Sequence, residues 1–294
     1  MLVYISSYPR SGSSLVQQTI NTFFEKPWTS VHTTDRARPL EKITGCPDYF
    51  KNWRYDQTVF SKKTTVLHQT LERLNSRTFK LYNLEKWIAL YDLNIPPYTK
   101  NCRYLLPGCF NVLTKKNRNI LANEETCFFV KTHYLPYSQY FDNEYVIQIV
   151  RNPYNVFVSY KQFIKKFHNQ DKDINEVIKG NVPFGSWSHW HNAWNQVALK
   201  LKPRFLQIKF ENILQSDRSK VCEEIASMIS LPYKENSHEP SWEDLQKINP
   251  NYYRSGNING EAVCNSYNQE QVNLIETLHG ATLKQLGYQF EKAV

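Results

Sequence analysis

Short apolar runs alternate with amphipathic segments along much of the chain. Residues 2–5 form a continuous apolar run, which is typical of a strand buried on both faces of a sheet. Val16, Ile20 and Phe23 then recur at helical spacing, which predicts an amphipathic helix. Three further strands are predicted after residue 126, at 127–130, 145–150 and 205–210.

Helices are predicted between and after these strands. Asn152 and Pro153 suit the N-cap and the first position of a helix whose buried face includes Val156 and Tyr160. Apolar spacing also predicts a helix over 187–201 and another that carries Val221, Ile225 and Met228. Because strands and helices alternate, we predict an α/β fold in which helices flank a central parallel sheet and ligands bind at the carboxyl ends of the strands.

Residues 32–125 have no clear strand or helix period over most of their length. No linker composition or repeat separates this segment from the rest, and 294 residues suit one α/β domain. We therefore predict a single domain, 1–294, in which about 32–125 is an insertion. Insertions between the elements of an α/β core often form a substrate pocket.

Composition and charge narrow the class of protein. The chain is 41% hydrophobic and 14% aromatic, as in globular domains, and its net charge of +9 favours an anionic partner. The tight basic clusters, 115–118 and 165–166, are too short for a nucleic-acid-binding stripe, so no nucleic-acid partner is expected. No apolar run is long enough to cross a membrane, and a strand at residue 2 leaves no room for a signal peptide. We expect a cytoplasmic protein without membrane association.

The segment from Tyr8 to Ser14, Y-P-R-S-G-S-S, lies between the first predicted strand and helix. A strand, a glycine turn and a hydroxyl-rich helix start direct backbone N–H groups and the helix dipole towards one point, which favours a phosphate. The segment is not a Walker A motif, because it has one glycine and its cation, Arg10, precedes that glycine. The alternative is an ordinary turn in which Ser11 or Ser13 caps the helix.

Other candidate residues also follow predicted strands. Lys131 and His133 come after the second strand, and Arg151 comes after the third. Since the carboxyl ends of parallel strands share one edge, these side chains and Arg10 can meet in one crevice. Lys131 would lower the pKa of His133 and favour its action as a general base. Each residue also has a structural alternative. His133 could be a core histidine bonded to a backbone carbonyl, and Arg151 could form a structural ion pair. Ser159, in the helix that follows Arg151, could be a surface serine.

Three segments resemble motifs of the PAPS-dependent sulfotransferases. Residues 8–14 are similar to the 5′-phosphosulfate loop, Y-P-[KR]-S-G-[ST]-[ST], and residues 131–136 to K-T-H-L-P with one residue inserted after the histidine. Residues 150–160 are similar to the 3′-phosphate motif, R-[DN]-P-x-[DN]-V-x-V-S. The segments occur in the family's order. The resemblance implies a soluble, cytosolic-type sulfotransferase with a P-loop NTPase-like fold.

This resemblance also implies a reaction and residue roles. The sulfuryl group of PAPS (3′-phosphoadenosine 5′-phosphosulfate) would move in line to a hydroxyl or amine of a small-molecule acceptor, which leaves PAP. Arg10 would contact the bridging oxygen, Lys131 would stabilise the transferring group, and His133 would remove the acceptor proton. PAPS requires no bridging magnesium, so no metal is expected. The 5′-phosphate would be held by Ser11, Gly12, Ser13 and Ser14, and the 3′-phosphate by Arg151 and Ser159.

The C-terminal part of the chain resembles the family less closely. Trp242 lies in a segment similar to S-F-[DE]-x-M and would stack on the adenine. Arg254 and Gly256 stand where the family has R-K-G, which would clamp the 3′-phosphate, but Ser255 replaces the lysine. Glu261-Ala262-Val263 replaces D-W-K, and Leu15 replaces a tryptophan that many members have. The oligomeric state stays open, because the family's dimerisation motif is not recognisable in 270–274.

Two other functions are consistent with a phosphate loop. A kinase with a degenerate loop would require an acidic magnesium ligand at a strand end, and none stands beside the three motifs. A non-catalytic basic nucleotide-binding protein would be expected to have lost Arg10, Lys131 or His133, and all three are present. The identity of the acceptor is left open.

Overall fold

A computed structural model describes the parts of the chain that contain the predicted core. The described residues are 1–24, 28–29, 38–39, 119, 122–123, 127–133, 135–168, 171–182, 184–215, 218–234 and 266–289. Most of the predicted insertion, 32–125, lies outside these residues. Trp242, Arg254 and Gly256 also lie outside them.

Within the described residues, six strands form one parallel sheet. In chain order they are β1 (Leu2–Ser7), β2 (Trp28–Thr29), β3 (Arg38–Pro39), β4 (Phe128–Thr132), β5 (Glu144–Val150) and β6 (Phe205–Lys209). The order across the sheet is β3-β2-β4-β1-β5-β6. Every residue of β1 is buried, which explains its uninterrupted apolar sequence. The predicted α/β fold with a central parallel sheet is confirmed.

Helices cover both faces of the sheet. They are α1 (Ser13–Phe23), α2 (Pro153–His168), α3 (Ile174–Lys179), α4 (Trp187–Leu201), α5 (Phe210–Gln215), α6 (Arg218–Ile229) and α7 (Gln269–Gln285). Apolar residues of α2, α3, α4 and α7 pack in one core with Leu2 and Tyr4 of β1. Residues of α1, α5 and α6 pack in a second core with Val3 and Ile5. The central strand therefore contributes alternate side chains to two cores.

Most predicted elements are observed with small changes of length. Helix α4 has the predicted bounds, and Asn152 caps α2 because its Oδ1 accepts a hydrogen bond from Tyr154 N at 3.0 Å. The predicted end of β4 at Val130 is wrong. Pairing with β1 continues to the Ser6–Thr132 pair, so Lys131 lies inside the strand and His133 is the first residue after it.

Helix α7 was not predicted from apolar spacing, although its start has a local signal. Asn268 and Gln271 form a reciprocal capping box, and this pair of residue types three positions apart can be read from sequence. Tyr267 anchors the entry to α7 by donating a hydrogen bond from its hydroxyl to Tyr154 O at 2.7 Å. Among the described helices, none has the length and apolar character needed to cross a membrane.

Candidate active site

The loop between β1 and α1 has an unusual backbone. Arg10 has a φ of 70° and Gly12 a φ of 99°, so both adopt left-handed conformations. Gly12 is the N-cap residue of α1 and makes no side-chain cap. Ser11 Oγ has no hydrogen-bond partner among the described residues, and Ser13 is already inside the helix, so neither serine is the N-cap of an ordinary turn. A Cβ added at Gly12 would lie 2.1 Å from Cδ2 of Phe210. The glycine is therefore required by both conformation and space.

Ser11 presents a buried polar atom at the start of this helix. The side chain is fully buried, and its Oγ has no hydrogen-bond partner within the described part of the chain. A buried hydroxyl without a partner costs free energy, and an anion bound in the loop would provide an acceptor. This orphan hydroxyl beside a helix N-terminus fits a phosphate group.

His133 is held at the end of β4 by the neighbouring strand. Its Nδ1 lies 2.6 Å from Ser7 O and 3.2 Å from Ser7 Oγ. A carbonyl oxygen only accepts, so Nδ1 donates to it and the neutral ring has its free lone pair on Nε2. Burial, followed by the charges of Lys131 and Arg10, holds the pKa of His133 well below its usual value. The ring is therefore neutral at neutral pH, with Nε2 able to accept a proton.

Arg151 directly follows β5 and contacts the loop after β1. Its Nη1 donates a hydrogen bond to Arg10 O at 2.9 Å, and its guanidinium lies 4.3 Å from the ring centroid of Phe210. Burial and the charge of Arg10 lower the pKa of Arg151 to about 10, although Glu211 acts in the opposite direction. Arg151 therefore keeps its positive charge at neutral pH.

Arg10 connects this contact to α2. Its Nε donates a hydrogen bond to Ser159 Oγ at 3.1 Å, and its guanidinium lies 5.3 Å from the ring centroid of Phe163. Two arginines and a partly buried serine thus form one chain of contacts at the carboxyl edge of the sheet. Such a concentration of positive charge in a partly buried site favours an anion.

The remaining predicted residues have different placements. Lys131 is buried within β4, where it pairs with Ile5 and acts electrostatically on His133. Ser13 and Ser14 occupy the first turn of α1. The structure thus brings the loop residues, Arg151, Ser159, Lys131 and His133 to one edge of the sheet.

Several residues around this edge were not singled out from sequence. Trp190 donates a hydrogen bond from Nε1 to His133 O at 2.8 Å. Phe210 packs against both Gly12 and Arg151. Glu211 accepts hydrogen bonds from Asn152 N at 3.1 Å and from the Tyr288 hydroxyl at 2.8 Å. Phe210 and Glu211 directly follow β6. The other candidates were found by inspecting the residues after each strand, and the same inspection could have found these two.

A family model and two curated relatives match this chain, and all three are described as sulfotransferases. The model of the family described as "Sulfotransferase domain" matches residues 2–261. Sulfotransferase 2A1 of Macaca fascicularis is 28% identical over 125 residues, which are 38% of this chain and 43% of that protein. The 3-beta-hydroxysteroid sulfotransferase of Cavia porcellus is 29% identical over 100 residues, which are 31% of this chain and 34% of that protein. The matches thus span less than half the length of these curated relatives.

Solved structures with similar folds include two described as complexes with PAP. The mouse sulfotransferase SULT7A1 complexed with PAP superposes with a TM-score of 0.51 at 15% identity, over 96% of this chain and 84% of that chain. Retinol dehydratase in a complex with retinol and PAP superposes with a TM-score of 0.52 at 15% identity, over 99% of this chain and 83% of that chain. At this identity the likeness concerns the fold. The family match over residues 2–261, on a parallel sheet of the same fold, shows that this chain belongs to the sulfotransferase domain family.

Proposed function

We propose that this protein transfers the sulfuryl group of PAPS to a hydroxyl or amine of a small-molecule acceptor. The observation that carries the proposal is the contact of Arg151 with Arg10, and of Arg10 with Ser159, at the sheet edge where the neutral base His133 also lies. Two structures of similar fold are described as complexes with PAP, and we extend that ligand class to this chain.

The donor would be held at its two phosphate-bearing ends. We assign the 5′-phosphosulfate to the loop before α1, because the helix N-terminus and the orphan hydroxyl of Ser11 favour a phosphate there. We assign the 3′-phosphate to Arg151 and Ser159, since a guanidinium can form charge-assisted hydrogen bonds with phosphate oxygens. Further proposed nucleotide contacts, which lie outside the described residues, are Trp242 with the adenine and Arg254 and Gly256 with the 3′-phosphate.

His133 would act as the general base of the transfer. Its Nδ1 keeps its proton and donates it in a hydrogen bond to Ser7 O, so Nε2 takes the proton of the acceptor as the new bond to sulfur forms. The bond between sulfur and the bridging oxygen breaks, and negative charge develops on the phosphate of PAP. Arg10 would stabilise that charge, and Lys131 would stabilise the group in transfer, because fixed cations in a buried site act most strongly where charge develops.

We also propose that the chain is a single domain and that residues 32–125 form much of the acceptor pocket. For the pocket, the described residues contribute one apolar ring beside His133. Phe184 is almost fully buried, and its ring centroid lies 5.6 Å from that of the histidine, edge to face. Apolar groups next to a general base exclude water and favour an acceptor with an apolar part.

The proposal is tested by incubating the purified protein with PAPS and pools of phenols, alcohols, amines and sugars. Release of PAP that depends on an acceptor is the expected result. His133→Ala should abolish release while PAP still binds, as measured by calorimetry. Binding of ATP as tight as that of PAP, with no acceptor-dependent release, would refute the proposal and favour a kinase-like or non-catalytic protein.

A further inference from the structure

The backbone carbonyl of His133 lies just beyond the hydrogen-bonded part of β4. The ladder between β1 and β4 ends at the Ser6–Thr132 pair, so this carbonyl has no partner from the ladder. Trp190 of α4 supplies one, because its indole Nε1 donates to His133 O at 2.8 Å in a buried environment. A side chain 57 positions away thus completes the end of the strand that carries the proposed base.

Trp190 is itself fixed on several sides. Its side chain is fully buried in the core between the sheet and α4. Its ring lies edge-on to Tyr8, at 6.2 Å between centroids, and Tyr8 also contacts Tyr160 of α2 edge-on, at 5.8 Å. The hydroxyl of Tyr8 donates to Gly185 O at 2.5 Å, which ties the start of the phosphate loop to the segment before α4. The indole therefore has little freedom to move.

His133 is consequently held at two points. Its ring is held by Ser7 through Nδ1, and its backbone is held by Trp190 through the carbonyl oxygen. Fixing both the main chain and one ring nitrogen fixes the direction of Nε2. Misplacement of a reacting group by about 1 Å can cost on the order of 100-fold in rate.

We propose that Trp190 is a positioning residue for His133, acting through the indole hydrogen bond to the backbone carbonyl. This inference rests on the proposed function, in which His133 is the general base. Trp190 contacts His133 O, Tyr8, His191 and Trp194, and among the described residues these contacts include neither Arg10 nor Arg151. Its loss should therefore affect turnover more than nucleotide binding.

The chain offers a matched control in the same helix. Trp187 is one turn before Trp190 and is fully buried in the same core, but its Nε1 has no hydrogen-bond partner among the described residues. Trp187→Phe and Trp190→Phe remove the same atoms from equally buried sites. Only the second substitution removes a hydrogen bond to the residue that carries the base.

The first experiment compares kcat, the KM for PAPS and the Kd for PAP in the two variants. We expect kcat of Trp190→Phe to be about tenfold below that of Trp187→Phe, because a buried carbonyl is left unpaired and the histidine shifts. The KM and Kd values should agree within about twofold. Equal kcat values in the two variants would overturn the inference.

The second experiment follows the His133 ring itself by ¹⁵N NMR, in the absence of any acceptor. Lys131 and Arg10 are the charged groups that lower its pKa, and Phe184 and Trp190 are uncharged neighbours. A ring released towards solvent should titrate closer to its usual pKa in Trp190→Phe, and the acid limb of the kcat profile should move to higher pH. An unchanged His133 titration in Trp190→Phe would overturn the inference.

A third variant keeps the test valid if Trp190→Phe does not fold. Replacement of Trp190 with β-(3-benzothienyl)alanine exchanges the indole N–H for sulfur and keeps the size and shape of the ring. The same loss of kcat and the same change in titration are expected, and wild-type values would contradict the inference. A wild-type protein without PAPS-dependent turnover would refute the proposed function, whereas the NMR titration would still decide the role of Trp190.

Discussion

Gly12→Ala tests whether the proposed phosphate loop and the proposed nucleotide clamp form one packed unit. Alanine at this position must adopt a φ near 99°, which costs about 1–2 kcal/mol relative to glycine. Its Cβ would also lie 2.1 Å from Cδ2 of Phe210, an overlap that forces a shift costing about 1–3 kcal/mol. Together the two effects should lower the free energy of unfolding by about 2–5 kcal/mol.

The same substitution should weaken nucleotide binding. The ring of Phe210 lies 4.3 Å from the guanidinium of Arg151, so a displaced ring moves the proposed 3′-phosphate ligand. Urea denaturation would measure the stability of the variant, and calorimetry would measure its Kd for PAP. We expect the Kd to rise by about tenfold or more, which corresponds to roughly 1.4 kcal/mol or more.

Two further variants separate the cost of the backbone conformation from the cost of the steric overlap with Phe210. Gly287 also has a positive φ, of 72°, but its nearest neighbour would be the flexible Lys209 Nζ at 2.9 Å. Gly287→Ala should therefore cost only the conformational part, about 1–2 kcal/mol, and leave PAP binding unchanged. Combining Gly12→Ala with Phe210→Ala should cost less than the sum of the single changes, because the overlap disappears. Additive losses in stability, or a Gly12→Ala protein that binds PAP normally, would refute the reasoning.

Three other predictions concern the base, the clamp and the buried histidines. His133→Ala should reduce turnover by about 100-fold or more while the Kd for PAP stays within about threefold; normal turnover with a hydroxyl acceptor would exclude His133 as the base. Arg151→Ala should weaken PAP binding by about 2–5 kcal/mol, with partial recovery in Arg151→Lys; an unchanged affinity in calorimetry would remove Arg151 from the proposed clamp. Burial lowers the pKa of His191 from 6.5 to about 3 and that of His279 from 6.5 to about 4. Both are neutral when folded and bind protons on unfolding, so stability should fall as pH drops from about 6.5 towards 4, by up to about 1.4 kcal/mol per pH unit for each. His279→Gln should flatten this dependence in urea titrations, and a variant with the same pH dependence as the wild-type protein would contradict the assignment.

Local sequence signals predicted the elements that local interactions form. The cap and first position of α2, at Asn152 and Pro153, and the bounds of α4 depend on neighbouring residues and could be read directly. The extension of β4 to Thr132 could not, because it depends on pairing with Ser6, more than 120 positions earlier in the chain. The presence of Gly12 signalled a turn, but the side chain that requires it, Phe210, is contributed by a distant segment.

The charged groups of the site could be located from sequence motifs, whereas the aromatic rings that pack against them could not. Arg10 faces Phe163, Arg151 faces Phe210, and His133 faces Phe184. All three phenylalanines lie outside the three matched motifs. A ring beside a guanidinium contributes about 0.5–2 kcal/mol and excludes water from one side of it.

These rings therefore influence both the orientation of the charged groups and the strength with which those groups attract an anion. A cation covered on one side presents its remaining N–H groups to the other side, and lower local dielectric strengthens its attraction for an anion. Two sulfotransferase-family chains with identical loop and clamp motifs but different supporting rings should then hold the donor with different affinities. The motifs identify which groups meet at the sheet edge, whereas Phe163, Phe184 and Phe210 help to decide how those groups are presented.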